Sequence, residues 1–154
     1  MNGLYKAEMT IITLGTFDWL HAGHLNLLRI CWELGDSVVV GLNTDEFITQ
    51  YKGKPPLMTY MERYQTIMAT GFVDEIIPNG QGAGNAKSVI EQSEADLIVI
   101  GSDWARKDYV GQLGLDWDWL DSKEIGICYV TYTPGVSSTA LKERLASYRD
   151  SDHA

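Results

Sequence analysis

Two of the chain's three histidines, His21 and His24, lie three residues apart in "GTFDWLHAGHLNLL" (residues 15–28). An apolar run ends at Gly15, and a helical pattern begins near Ala22 or Gly23. The pair therefore straddles a helix N-terminus at the carboxyl end of a strand, where open parallel sheets bind ligands. Unpaired helix N–H groups and the positive end of the helix dipole favour an anion there. Residues three apart share one face of a turn, so both imidazoles can point at the same anion. Gly15 lets the chain turn off the strand, and Gly23 lets a phosphate approach the backbone.

Competing chemistries find less support. A capping or packing role is the plain alternative for either histidine. Zinc needs more ligands: His153 lies at the end of the chain, and Cys31 and Cys128 sit inside apolar stretches. No G-x-x-x-x-G-K-[ST] or G-x-G-x-x-G follows the first strand. Nothing resembles an activated serine or cysteine nucleophile.

The elements that must position this pair are legible. "MTIITL" (9–14), "SVVVGL" (37–42), "VDEIIP" (73–78), "DLIVIG" (96–101) and "IGICYV" (125–130) read as strands. Most are continuous apolar runs, as expected for parallel strands buried on both faces. Between them, "AGHLNLLRICWELG", "MTYMERYQTIMATG", "NAKSVIEQSE" and "SSTALKERLASY" read as helices, with Thr59 an N-cap and Gly35 and Gly71 the helix ends. Alternating strands and helices predict an α/β domain with a parallel sheet and right-handed crossovers. Two stretches interrupt the alternation. "YKGKPPLM" (51–58) reads as a loop, and residues 104–124 read as a long functional loop or a small helical flap whose tryptophans pack on the sheet.

Composition narrows the partners. The 154 residues suit one domain, 1–154, with a core from about 9 to 146 and a frayed tail over 147–154. The net charge of −9 disfavours nucleic acid and anionic membranes. No apolar run approaches the roughly 20 residues of a membrane span, and "MNGLYKAEMT" does not read as a secretory signal. Two isolated cysteines point to reduced core thiols and a cytoplasmic setting. An acidic chain that binds phosphates must do so with a few placed cations and backbone N–H groups.

"GTFDWLHAGH" resembles the signature of the nucleotidyltransferases that share an H-x-G-H motif, and the chain is most similar to their cytidylyltransferase branch. "LGDSVVVGLNTDEF", "YMERYQTIMATGFVDEIIP", "IVIGSDW" and "TPGVSSTALKERL" carry the resemblance from about residue 9 to residue 146. It implies a single-domain, Rossmann-like α/β fold: a five-stranded parallel sheet with helices on both faces. It also implies transfer of a cytidylyl group from CTP to a small alcohol phosphate, glycerol 3-phosphate first, with release of pyrophosphate. Adenylyl transfer to heptose phosphate or FMN and a catalytically weak nucleotide-binding relic are the alternatives.

The resemblance assigns roles residue by residue. His21 and His24 are the catalytic pair, donating to triphosphate oxygens. Gly15, Thr16, Phe17, Asp18 and Gly23 belong to the nucleotide site, with Lys54, Asp103, Tyr132, Gly135, Val136, Ser137, Ser138 and Thr139. Ser137, Ser138 and Thr139 would open the last helix as a second anion site, unless they form only an N-cap. Lys52 and Lys54 would fold over the phosphates from the loop. Arg63 would pair with substrate phosphate, or with an acid of the protein. Mg2+ is expected with the triphosphate, and a homodimer by analogy. In two places, Tyr132 and Gly71, the family's pattern has arginine, which implies two fewer cations near phosphate or base.

Overall fold

The structure, a computed structural model, describes residues 8–80, 85–101, 108–131 and 137–152. Five strands form: β1 (Thr10–Gly15), β2 (Ser37–Asn43), β3 (Glu75–Asn79), β4 (Leu97–Gly101) and β5 (Gly126–Val130). They make one parallel sheet in the order β3-β2-β1-β4-β5. The chain starts in the middle and winds outward twice, so the order reverses between β1 and β4. Ligands of such sheets sit at that crevice.

The helices are α1 (Ala22–Leu34), α2 (Asp45–Lys52), α3 (Tyr60–Ala69), α4 (Asn85–Ser93), α5 (Tyr109–Gln112), α6 (Trp117–Ser122) and α7 (Ser138–Asp152). Strand alternation sorts the core into two layers. Ile11, Val38, Val40, Leu42 and Val99 pack against Leu28 and Cys31 of α1 and Ile67 of α3. Ile12, Val39, Ile77, Ile98 and Ile100 pack against Val89 and Ile90 of α4, Val110 of α5 and Leu120 of α6. Helices therefore cover both faces of a Rossmann-like α/β sheet, as expected. Among the described residues no helix is long and apolar enough to cross a membrane.

Local chemistry sets the boundaries. Thr44 and Thr59 cap α2 and α3, their hydroxyls accepting the N–H groups of Phe47 and Glu62. Three aspartates fasten the amino edge of the sheet: Asp36 accepts from Met9 N, Asp96 from Thr10 N and Asp74 from Val38 N. Gly35 ends α1 with an extended backbone, and a Cβ there would strike the Ile11 side chain. Close approach, not a left-handed cap, is what this position requires.

Three expectations are corrected. Val73 and Asp74 precede β3: Asp74 clamps Val38 through its N–H and carboxylate before the ladder begins. Tyr51 and Lys52 end α2 and do not belong to the loop, which starts at Gly53 with φ +76°. The tail expected to fray from 147 stays helical through Asp152, since no glycine or proline interrupts "SSTALKERLASYRDSD". In the 104–124 stretch, Trp119 packs on the core while Trp117 is exposed. Trp104 lies outside the described residues.

Candidate active site

A cleft of about 760 Å³ opens at the carboxyl edge of the sheet, across β1, β2, β3 and β4. His21, Gly23 and His24 line it from the start of α1, and Gly15, Thr16 and Phe17 from the turn before it. The turn is strained: Phe17 and Trp19 have φ of 51° and 56°. Side chains rarely adopt this left-handed region, and such outliers concentrate at functional sites. Burial of the Phe17 ring holds the turn in place, and a Cβ on Gly15 would press on that ring at 3.1 Å.

The two histidines form a reciprocal cap. His21 Nδ1 accepts the N–H groups of Gly23 (3.0 Å) and His24 (3.4 Å), and His24 Nδ1 accepts the N–H of His21 (3.2 Å). The rings stack with centroids 3.8 Å apart. With both Nδ1 atoms accepting, each neutral ring carries its proton on Nε2. Burial pushes the His21 pKa down. His24 is pushed down to about 4, by burial first, then by the neighbouring His21, against an opposing pull from Asp18. Both rings are thus neutral near pH 7, with Nε2–H as the remaining donor. Sequence alone suggests free helix N–H groups meeting the anion, but two of them are taken by His21. The ring relays their polarity: N–H groups donate to Nδ1, and Nε2–H is left for the ligand.

Arg63 is fully buried and serves the protein. Its Nε donates to Met58 O, its Nη1 to the carbonyls of Thr16 and Asn43, and its Nη2 to the Asp45 carboxylate at 2.7 Å. Of the two pairings open to it in sequence, the structure shows the acid of the protein. One guanidinium ties the strained turn to α2 and α3. Asp18 performs a matching task, accepting from Leu57 N (2.7 Å) and Met58 N (2.9 Å).

A chain of side-chain hydrogen bonds crosses the β3–β1 half of the cleft. Asn79 Nδ2 donates to Asn43 Oδ1, Asn43 Nδ2 donates to Thr16 Oγ1, and Thr16 Oγ1 lies 3.2 Å from Tyr51 Oη. All four residues line the cleft. Sequence reasoning reached only Thr16. An asparagine closing a buried apolar strand, as in "LNT" and "PNG", is the signal that points to the others.

The remaining candidates fall in different places. Lys52 and Lys54 are exposed. Lys52 Nζ lies 5.7 Å from the ring centroid of Tyr51, hence at the rim, and Lys54 does not line the cleft. Ser137 lines the cleft and caps α7, its Oγ accepting from Ala140 N. Ser138 begins α7, and Thr139 is exposed in its first turn. Asp103, Tyr132, Gly135 and Val136 lie outside the described residues. Gly71 follows α3 at the amino edge of the sheet, near the Asp74–Val38 clamp, with φ +76°. An arginine at this position would stand at the opposite end of the sheet from the cleft, so Gly71 removes no cation from it. Among the described lining residues none is Asp, Glu, Lys or Arg, and no three His, Cys, Asp or Glu side chains cluster as a metal site.

A glycerol-3-phosphate cytidylyltransferase of Staphylococcus aureus is 36% identical over 135 residues, 88% of this chain and 93% of that protein. An ethanolamine-phosphate cytidylyltransferase of Dictyostelium discoideum is 35% identical over 140 residues, 91% of this chain and 37% of that protein. In fold, a lipopolysaccharide core biosynthesis protein of Thermoplasma volcanium superposes with a TM-score of 0.62 at 24% identity, over 82% of this chain and 98% of that one. The profile described as "Cytidylyltransferase-like" matches residues 12–144. With its strand order, its capped histidine pair and this match over most of its length, the chain belongs to the cytidylyltransferase-like family of nucleotidyltransferases.

Proposed function

We propose that the chain transfers a cytidylyl group from CTP to a small alcohol phosphate, glycerol 3-phosphate being the best fit, and releases pyrophosphate. One observation carries this reading: two stacked, neutral imidazoles present Nε2–H donors at a helix N-terminus inside the cleft. The relatives named as glycerol-3-phosphate cytidylyltransferases support the choice of substrates.

The acceptor's phosphate oxygen attacks the α-phosphorus of CTP, and pyrophosphate leaves from the opposite side. No protein nucleophile takes part, so catalysis consists of positioning and charge stabilisation. His21 and His24 donate from Nε2 to triphosphate oxygens and to the charge that grows on the leaving pyrophosphate. The capped start of α7 at Ser137 offers a second helix N-terminus to the same anion. Arg63 and Asp18 hold the turn in register without touching substrate. Mg2+ would come with the triphosphate and offset part of its charge, as expected of a nucleotide-bound ion that takes few protein ligands. A homodimer belongs to the same proposal, and sedimentation equilibrium tests it.

Side-by-side pyrophosphate release from CTP and ATP, with glycerol 3-phosphate as acceptor, tests the reaction. A clear preference for CTP is expected. Equal or faster release with ATP would replace cytidylyl by adenylyl transfer.

A further inference from the structure

We propose that Asn79, backed by Asn43, reads the hydroxyl groups of the acceptor and makes the phosphate of a polyol with no ammonium group the acceptor class. The inference rests on the reading of the cleft as a nucleotidyl-transfer site and adds the residues that choose the acceptor. Asn79 and Asn43 face each other across the last rung of the β2–β3 ladder. Both are buried, at 4% and 9% exposure, and both line the cleft. Asn79 Nδ2 is held by Asn43 Oδ1, which fixes the amide plane. Among the described residues Asn79 Oδ1 has no hydrogen-bond partner. A buried acceptor without a donor is costly to keep, and a ligand that supplies the donor accounts for its retention beside a cleft. Among the described residues Thr13 Oγ1 is also without a partner and lines the cleft too, on the face of β1 that carries Ile11, whereas Asn79 shares the face of Ile77.

Position along the sheet says which ligand. The triphosphate donors stand at α1, beyond β1, and at α7, which follows β5. Asn79 ends β3, two strands from β1 in the other direction, or about 10 Å at the usual strand spacing. In-line attack requires the acceptor to enter opposite the leaving pyrophosphate, and the β2–β3 side is opposite α7. The donor that Asn79 Oδ1 lacks is therefore on the acceptor. A hydroxyl and an ammonium group both donate. An ammonium group, however, is held best by a carboxylate when it is desolvated, and the described lining of the cleft has none. Neutral amide chemistry selects the hydroxyl.

Two measurements test this. In the wild-type chain without nucleotide, titration with glycerol 3-phosphate should shift the side-chain amide signals of Asn79 in a 15N-resolved spectrum, and propyl phosphate should not. In turnover, the wild type should favour glycerol 3-phosphate over propyl phosphate and ethanolamine phosphate. Asn79→Ala should shrink the first preference about tenfold while leaving the KM for CTP unchanged. A merely structural asparagine would depress both acceptors equally. An unmoved amide signal, or an unchanged preference in the variant, overturns the proposal even where CTP is consumed. A moved amide signal with no pyrophosphate released from CTP leaves the subsite standing and removes the proposed reaction.

Discussion

His21 and His24 hold each other through their own backbone: His21 Nδ1 takes the N–H of His24, and His24 Nδ1 takes the N–H of His21, with the rings 3.8 Å apart. The same ring therefore caps the helix on one edge and faces the cleft on the other. Capping and phosphate binding can be separated by choosing the replacement.

His21→Asn keeps an N-cap acceptor and loses the far donor. Its Tm should match the wild type while turnover falls about a hundredfold, the scale of a lost charge-stabilising donor. His21→Ala should lose the same turnover and about 1 kcal/mol of stability as well. His24→Ala should show a similar loss of turnover. Wild-type rates at saturating substrate in any of these variants would end the catalytic assignment.

The pH response has a definite sign. His24 titrates at about 4 in the folded chain and near 6.5 when unfolded. Above pH 6.5 both states are neutral and stability is flat. Between 6.5 and 4 the unfolded chain takes up a proton that the folded chain refuses. Stability should fall across that window as pH drops, by on the order of 3 kcal/mol from this residue. Imidazole 15N titration should give a His24 midpoint well below 6.5, with Nε2–H the only ring N–H at pH 7. A midpoint at or above 6.5 would contradict the buried cap.

Arg63→Lys retains the charge but cannot serve three carbonyls and a carboxylate from one ammonium. Urea denaturation should show a loss of about 1–3 kcal/mol, the scale of leaving buried carbonyls without a donor. Unchanged stability with impaired turnover would return Arg63 to the substrate.

Replacing Lys52 and Lys54 together with alanine should raise the KM for CTP or for the acceptor at unchanged Tm, since both side chains are exposed. If neither KM moves, both lysines are solvated surface only.

The apolar runs disclosed the sheet because its inner strands β2, β1 and β4 are buried on two faces, and the spacing of His21 and His24 disclosed the centre of the site. Burial patterns do not say what a polar side chain faces. Arg63 reads in sequence as a cation on a helix face, and only the fold brings Thr16, Asn43, Asp45 and Met58 around it. Asn43 and Asn79 are 36 residues apart, and parallel pairing alone makes them neighbours. Gly71 reads as a missing cation until α3 places it at the far edge of the sheet.

Asp18 grips Leu57 and Met58, and α2 ends at Gly53 with its N–H on Thr49 O. What remains between these moorings is Gly53, Lys54 and two prolines. Proline fixes its own φ and restricts the residue before it. Lys54 therefore rides a short strap moored at both ends rather than a sweeping lid. Its ammonium reaches only as far as the side chain's own length allows, so an inserted residue in the strap would lengthen that leash without disturbing the core.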